Sequence, residues 1–169
     1  MLGVYSDFPT DVQKIVSFET TISETRLQKT LVEVFCRLNS EESALKEIAY
    51  PSLPECMIGF EFGVAEGKDF NYLDTHERDR LLAAIQKKPF PSLDFLCITR
   101  YYRFQNQKKR PLKFDHYMLR FRFAKKALQM RVFHEKGPMH LSTKDLPLFI
   151  TKIVNNEFSK RVIKIIRES

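Results

Sequence analysis

The sequence predicts an α+β domain: a mostly antiparallel sheet with an N-terminal helix, a central helix and a long C-terminal helix. Three observations carry this. Apolar residues recur at helical spacing in 23–38, around 81–85 and from Leu146 onward; strand-like alternation fills 56–72 and 93–134; and short polar links between the strands favour antiparallel neighbours. The chain has 169 residues, 43% hydrophobic and 29% charged, with five Gly and eight Pro. One domain of 1–169 can therefore bury a core without disulfides or metals, and the compositions of disordered or collagen-like chains are excluded.

Pro9, followed by Val12, Ile15 and Val16, predicts a short helix over 10–18. Ser23 caps the next helix, 23–38, in which Leu27, Leu31, Val34, Phe35 and Leu38 share one face and Glu24 lies in the favourable first turn. Residues 40–55 read as a connector, with a helical turn around 44–48 and with Pro51 and Pro54 interrupting regular structure. Ile58, Phe60, Phe62 and Val64 alternate along a first strand, and Glu66-Gly67-Lys68 turns it back through Phe70, Tyr72 and Leu73 as a hairpin. Asp74 or Thr75 caps a helix bearing Leu81, Leu82 and Ile85. Lys87 and Lys88 suit its negative end, and Pro89 and Pro91 stop it. Three strands come next, 93–104, 112–123 and 127–134, separated by 105–110 and 124–126. The last helix starts near Thr143, accepts Pro147 in its first turn, and carries an apolar stripe from Leu146 through Phe158 to Ile165 and Ile166, with a bend or break at Asn155-Asn156.

The net charge of +7 conceals an uneven distribution. Residues 1–85 hold 8 Lys/Arg against 15 Asp/Glu, whereas 86–169 hold 20 against 6. The first portion is acidic and the second strongly basic, and a concentrated positive field gathers polyanions. No run approaches the roughly 18 apolar residues of a membrane span, and the first residues lack a signal-peptide pattern, so an intracellular protein, cytoplasmic or nuclear, with no membrane partner is expected. Cys36, Cys56 and Cys97 are far apart without a CxxC pair, which predicts neither a disulfide framework nor a cysteine zinc site. No cofactor is expected.

Alternate residues of a strand face opposite sides of a sheet. In 112–123 the apolar row is Tyr117, Leu119, Phe121 and Phe123, leaving His116, Met118, Arg120 and Arg122 on the other face. In 127–134 it is Leu128, Met130 and Val132, leaving Gln129, Arg131 and Phe133. Both parities of 93–104 contain aromatics; the row Phe95, Cys97, Thr99, Tyr101 and Arg103 is assigned to the exposed side. The predicted nucleic-acid-binding face thus carries Tyr101, Arg103, His116, Arg120, Arg122, Arg131 and Phe133, bordered by Lys108, Lys109 and Arg110. Arginines attract phosphates, and rings stack on bases that have left a duplex, so the expected ligand is single-stranded DNA or RNA.

The stretch MRVFHEKGPMHLSTKDLPLFITKIVNN, with the basic strand before it, gives a strand, a Lys-Gly turn and a short strand leading to a helix. Residues 119–156 resemble in this the strand-to-helix passage of Whirly and transcriptional-coactivator-type single-stranded DNA-binding domains, and more loosely purine-rich-element-binding repeats. The resemblance implies a single strand held on a curved antiparallel sheet, often by dimers or paired repeats, and would place Arg131, Lys136 and the Arg120/Arg122 pair on that surface.

Two other classes fit parts of the sequence. Complementary acidic and basic surfaces, with an apolar stripe continuing through Ile163, Ile165 and Ile166, suit a protein-interaction or oligomeric scaffold subunit that docks a partner or a second copy through its C-terminal helix. A metal-dependent nuclease or phosphoesterase is the third. Glu66-Gly67-Lys68 matches the ExK end of a nuclease motif, and His140-Leu141-Ser142 matches one half of a two-histidine phosphoesterase pair; neither has its second half. Glu55, Glu61, Glu66, Asp69 and Asp74 surround one hairpin and read as a solvated acidic face. His116, His134 and His140 lack regular metal-ligand spacing. With no P-loop, GxGxxG, GxSxG or HExxH, binding is expected ahead of catalysis, and no catalytic or metal-ligating residue is assigned.

Overall fold

One helix and two strands of the sheet converge on a single ring. Phe35 stacks on Phe62 with 4.1 Å between centroids and meets Phe95 edge-on at 5.1 Å. Phe35 comes from a helix and its two partners from sheet strands, so this contact joins the layers. The structure, a computed structural model, describes residues 1–49, 53 and 55–169. In chain order the elements are β1 (Lys14–Thr20), α1 (Glu24–Leu38), β2 (Glu42–Ala44), a 3-10 turn (Leu45–Glu47), β3 (Cys56–Glu66), β4 (Asp69–Tyr72), α2 (Thr75–Lys87), β5 (Ser92–Gln105), β6 (Lys108–Pro111), β7 (Asp115–Ala124), β8 (Ala127–Lys136), α3 (Asp145–Asn155) and β9 (Ile163–Glu168).

The strands form one sheet in the order β2-β3-β5-β7-β8-β1-β9, with β4 added to β3 and β6 to β5. All pairings between these strands are antiparallel. Inward residues such as Val16, Phe62, Phe95, Phe121 and Met130 join Leu31 and Phe35 of α1, Leu81 and Ile85 of α2, and Leu146 and Ile150 of α3 in one core. The caps of α1 and α2 are those read from the sequence: Ser23 accepts from the Arg26 amide and Asp74 from the Glu77 amide. No helix is long and apolar enough to cross a membrane, among the described residues. Cys36, Cys56 and Cys97 are free thiols.

With 44% strand and 25% helix, the class is mainly β, which corrects the predicted α+β arrangement of an N-terminal, a central and a long C-terminal helix. Two segments account for the difference. The predicted helix over 10–18 is replaced by β1, in which Val16, Phe18 and Thr20 point inward between β8 and β9. Val12, Ile15 and Val16 satisfy helical spacing, but so short a run also satisfies a strand, and pairing on both sides decides it.

The predicted C-terminal helix ends at Asn155, whose side chain accepts from the Val162 and Ile163 amides at 2.9 and 3.0 Å and donates to the Ile163 carbonyl at 3.0 Å. That amide folds the chain back, and the β-branched Ile163 and Ile165 enter β9. The apolar stripe therefore divides between a helix and a strand, and the helical surface predicted to dock a partner is not formed. Residues 105–110, read as a loop, are mostly a hairpin: Asn106 and Gln107 both take positive φ, of 51° and 63°, and return the chain as β6. The predicted turn at 44–48 is β2 followed by the 3-10 turn. Pro51 and Pro54 lie outside the described residues.

Candidate nucleic-acid interface

The helices cover one face of the sheet, leaving the other to be considered. On β7 and β8 its residues are those expected: His116, Met118, Arg120 and Arg122, then Gln129, Arg131 and Phe133. On β5 the parity is reversed. Phe95, Cys97, Thr99 and Tyr101 are buried, and Arg100, Tyr102 and Phe104 lie on the outer side. Tyr101, predicted as a stacking ring, is 1% exposed. Its hydroxyl donates to the Asp115 carboxylate at 2.5 Å and accepts from Thr99 Oγ1 at 2.7 Å. A tyrosine with buried partners is a satisfactory core residue, and desolvation raises its pKa further.

Asp115 itself has no solvent exposure. Besides Tyr101, His134 Nε2 lies 2.9 Å away, and the Met139 and His140 amides donate at 2.6 and 3.0 Å. Four partners satisfy a carboxylate that would otherwise be strongly disfavoured in a core. They also fix the chain between β8 and α3, which contains no strand in 137–144. Gly137 is required there: its φ is +114°, and a Cβ would stand 2.4 Å from both Asp115 Oδ1 and the Phe114 carbonyl oxygen.

A second buried carboxylate, Asp94, divides the outer face. It accepts from Arg120 Nε and Nη2, both at 2.7 Å, and from the Tyr5 amide at 2.7 Å. Arg120 also donates to the Tyr5 carbonyl at 3.3 Å, and its guanidinium lies 4.3 Å from the centre of the Phe8 ring. Arg131 donates to the Thr10 carbonyl at 3.3 Å. The N-terminal segment thus crosses the middle of the face. Arg120 and Arg131, both predicted nucleic-acid contacts, are engaged within the chain.

Beyond this strap one end of the face is open among the described residues. The tip of the β5–β6 hairpin runs past β3, whose register with β5 ends at Cys56↔Arg103, and past β7, whose register ends at Thr99↔Asp115. Here Phe104 and Phe114 are 55% and 43% exposed. Arg100 lies over the Phe114 ring at 5.5 Å, and His116 lies beside it at 5.1 Å. Lys136 is opposite His116 in the register. Burial and the neighbouring Lys136 hold His116 below its usual pKa, which favours the neutral ring at pH 7. Lys109 sits 3.8 Å over the Tyr102 ring and 3.0 Å from Glu42, which also accepts the Tyr102 hydroxyl. Those two hydrogen bonds keep the Glu42 carboxyl below the usual carboxylate range.

The cations at this end fall into two groups. Arg100 is paired with Glu61 at 3.0 Å and Lys109 with Glu42. Lys108, Arg110, Lys113 and Lys136 are exposed and have no carboxylate partner among the described residues. Arg103 is half-buried on the reverse of the hairpin, opposite Arg110. Arg122 is exposed at the far end of the face, and Phe133 is half-buried beside Met118.

The predicted set is therefore dispersed. Arg103, Lys108, Lys109, Arg110, His116 and Lys136 gather at the open end; Arg120 and Arg131 are held by the strap; Arg122 lies apart; Tyr101 is in the core. Sequence reasoning missed Arg100, Tyr102 and Phe104, which formed the rejected parity, and Lys113 and Phe114, which lie within the predicted strand 112–123 but precede β7.

The catalytic alternatives are occupied otherwise. Glu66 accepts from Arg80 at 2.9 and 3.0 Å and from Asn71 at 2.8 Å, while Gly67 at φ +68° makes the turn. Ser142 Oγ accepts the Asp145 amide at the start of α3, and His140 packs against Tyr101. No group of three or more His, Cys, Asp or Glu is placed to hold a metal ion, among the described residues. A cleft of about 800 Å³ lies between α1 and α2. Its Arg78 and Arg37 are already paired with carboxylates. No family model matches the chain, and neither a curated protein nor a solved structure is similar to it.

Two outcomes are expected. Asp94→Asn destabilises the fold by about 3–5 kcal/mol because it leaves Arg120 largely buried and unpaired, and Arg120→Met in the same chain restores part of the loss. Urea denaturation of the single and double variants measures this; purely additive losses contradict it. The second concerns acid. Arg80, then Asn71, pulls the Glu66 carboxyl down to about 2 from 4.5. Its stabilisation is thus present above pH 4.5 and lost as pH falls towards 2. Carboxyl NMR should show Glu66 titrating near 2 in the natural chain and moving back up in Arg80→Met; an ordinary titration in the natural chain contradicts the pairing.

Proposed function

We propose that this protein binds single-stranded nucleic acid at the open end of its outer sheet face and along the β5–β6 hairpin. One observation carries the reading: Lys108, Arg110, Lys113 and Lys136 lack carboxylate partners among the described residues, at the same end of the sheet as the exposed rings of Phe104 and Phe114, with Lys108 and Arg110 on the reverse of the hairpin. Unpaired cations attract phosphates at low desolvation cost, and binding releases counterions from the strand. Exposed rings next to them provide a surface for bases, at about 1–3 kcal/mol per stacked base. A duplex keeps its bases stacked on each other, so it has the phosphates but not the faces. Phe104 shares the outer side of the hairpin with Lys109, whereas Lys108 and Arg110 lie on its reverse with Gln105 and Arg103, so a strand that meets both the rings and these cations follows the edge of the hairpin.

Glu42 and Glu61 refine this. They neutralise Lys109 and Arg100 and brace Tyr102 and Arg100 beneath the exposed rings. Gly59 leaves room for the brace, since a Cβ there would approach the Tyr102 hydroxyl to 3.0 Å and push it by a few tenths of an ångström. The paired cations serve as a support, and the four unpaired ones as the phosphate contacts.

Fluorescence anisotropy with labelled 12-nucleotide DNA, RNA and a duplex of the same length tests this. With four phosphate contacts, the slope of log affinity on log salt for a single strand is about −3, a loss of about 50-fold between 50 and 200 mM salt. Lys108→Ala and Arg110→Ala should each reduce that slope by about 0.7. Phe104→Ala or Phe114→Ala should weaken binding about 5- to 150-fold with the slope unchanged. Absence of salt-dependent binding, or duplex binding as tight as single-strand binding with neutral phenylalanine variants, contradicts the proposal.

A further inference from the structure

Residues 7–12 form an arch over the middle of the outer face, and its anchoring is uneven. At one foot, Gly3 bridges β3 and β5 through backbone bonds to Ala65 and Asp94, both 2.7 Å, and Gly67 pairs with Val4 and Ser6. At the other, the Gln13 side chain bonds both ways with the His134 backbone, at 3.1 and 2.9 Å, and β1 begins. Between the feet, among the described residues, one hydrogen bond reaches the sheet, from Arg131 to the Thr10 carbonyl, together with the Arg120–Phe8 stack. Asp7, Thr10 and Asp11 are exposed, and neither carboxylate has an ion-pair partner among the described residues.

The groups that the arch lays on the face resemble a nucleotide in chemistry. A planar ring lies on the Arg120 guanidinium, where a base would stack, and a carbonyl oxygen occupies Arg131, where a phosphate oxygen would bind. The arch also stands between two basic regions. On one side is the open end with Lys136. On the other, Arg122, Gln129, Ser17 and Arg167 align across β7, β8, β1 and β9. Arg122 and Arg167 are exposed and have no carboxylate partner among the described residues. His116 and Arg122 are six residues apart on β7, about 20 Å at strand rise. A duplex strand rises about 3.4 Å per phosphate and an unstacked single strand more, so a strand of at most about six nucleotides reaches both regions and passes through the space the arch fills.

We infer that residues 7–12 are a displaceable gate over a longer single-strand track: a strand that spans both basic regions lifts the arch, stacks a base where Phe8 lies and places a phosphate on Arg131. The inference rests on the single-strand reading. Lifting leaves the Gly3 bridge, the Asp94–Arg120 pair and β1 intact, so the gate opens without unfolding the sheet. A short strand held at the open end does not reach the arch and leaves it closed.

The test uses the full chain, labelled oligo(dT) of 2 and 12 nucleotides, and the double variant Phe8→Ala/Pro9→Gly. The variant should bind the 12-mer about 3- to 30-fold tighter than the natural chain, the range of one lost cation–π contact, and the dinucleotide equally. In the natural chain, hydrogen exchange of residues 7–12 should quicken with the 12-mer and not with the dinucleotide. If the natural chain binds both oligonucleotides while the variant matches it, or tightens both alike, or exchange in 7–12 is unmoved, the gate is refuted and the single-strand reading stands. If neither protein binds either oligonucleotide, both fall.

Discussion

The Asp94 carboxylate has no contact with solvent, and three separated stretches of chain meet on it. β5 supplies the carboxylate, β7 the Arg120 guanidinium, and the N-terminal segment the Tyr5 amide. A buried charge is tolerable only when it is paired and fully hydrogen-bonded, so these three stretches keep their relative positions. The consequence for the outer face is direct. Arg120 points at Asp94 rather than at solvent, and the chain that supplies Tyr5 must continue across β7 and β8 to reach β1. One desolvated carboxylate thereby keeps Arg120 engaged and lays the N-terminal segment, with its Thr10 carbonyl, across Arg131.

Asp115 plays a corresponding part at the other end. Its four partners draw Tyr101 inward and pin the turn after β8. Because strand neighbours alternate, an inward Tyr101 sets Arg100 and Tyr102 on the outer side and brings Phe104 with them. Phe114, immediately before Asp115, takes the outer side for the same reason. The exposed rings at the open end are thus a consequence of where a carboxylate is buried, and the single-strand reading draws on that placement.

Much of the architecture is a product of periodicity. The caps at Ser23 and Asp74, the first hairpin, the three-strand meander and the parity of β7 and β8 are legible because long apolar rows and capping side chains act locally. β1 and β9 are not: each contains a short apolar run compatible with two periods, and their identity is fixed by partners distant in sequence. Asn155 shows the limit, since the residue that marks a break also specifies the next element, holding the Val162 and Ile163 amides at the start of β9. The site was legible in composition and not in position. Charge counts locate basic residues in the second half of the chain, but they do not distinguish Arg120, committed to a buried carboxylate, from Arg110, free at the hairpin. Nor does strand parity resolve β5, where aromatics occupy both rows until Asp115 selects one.

We propose that buried carboxylates leave the hairpin end of the outer face as the binding surface, and amide chemical-shift mapping during titration with a four-nucleotide single strand decides it. The largest changes should fall at Phe104, Lys108, Arg110, Lys113, Phe114 and Lys136, with Asp94 and Tyr101 unmoved. Changes centred on the cleft between α1 and α2, or no changes at saturating strand, would contradict it.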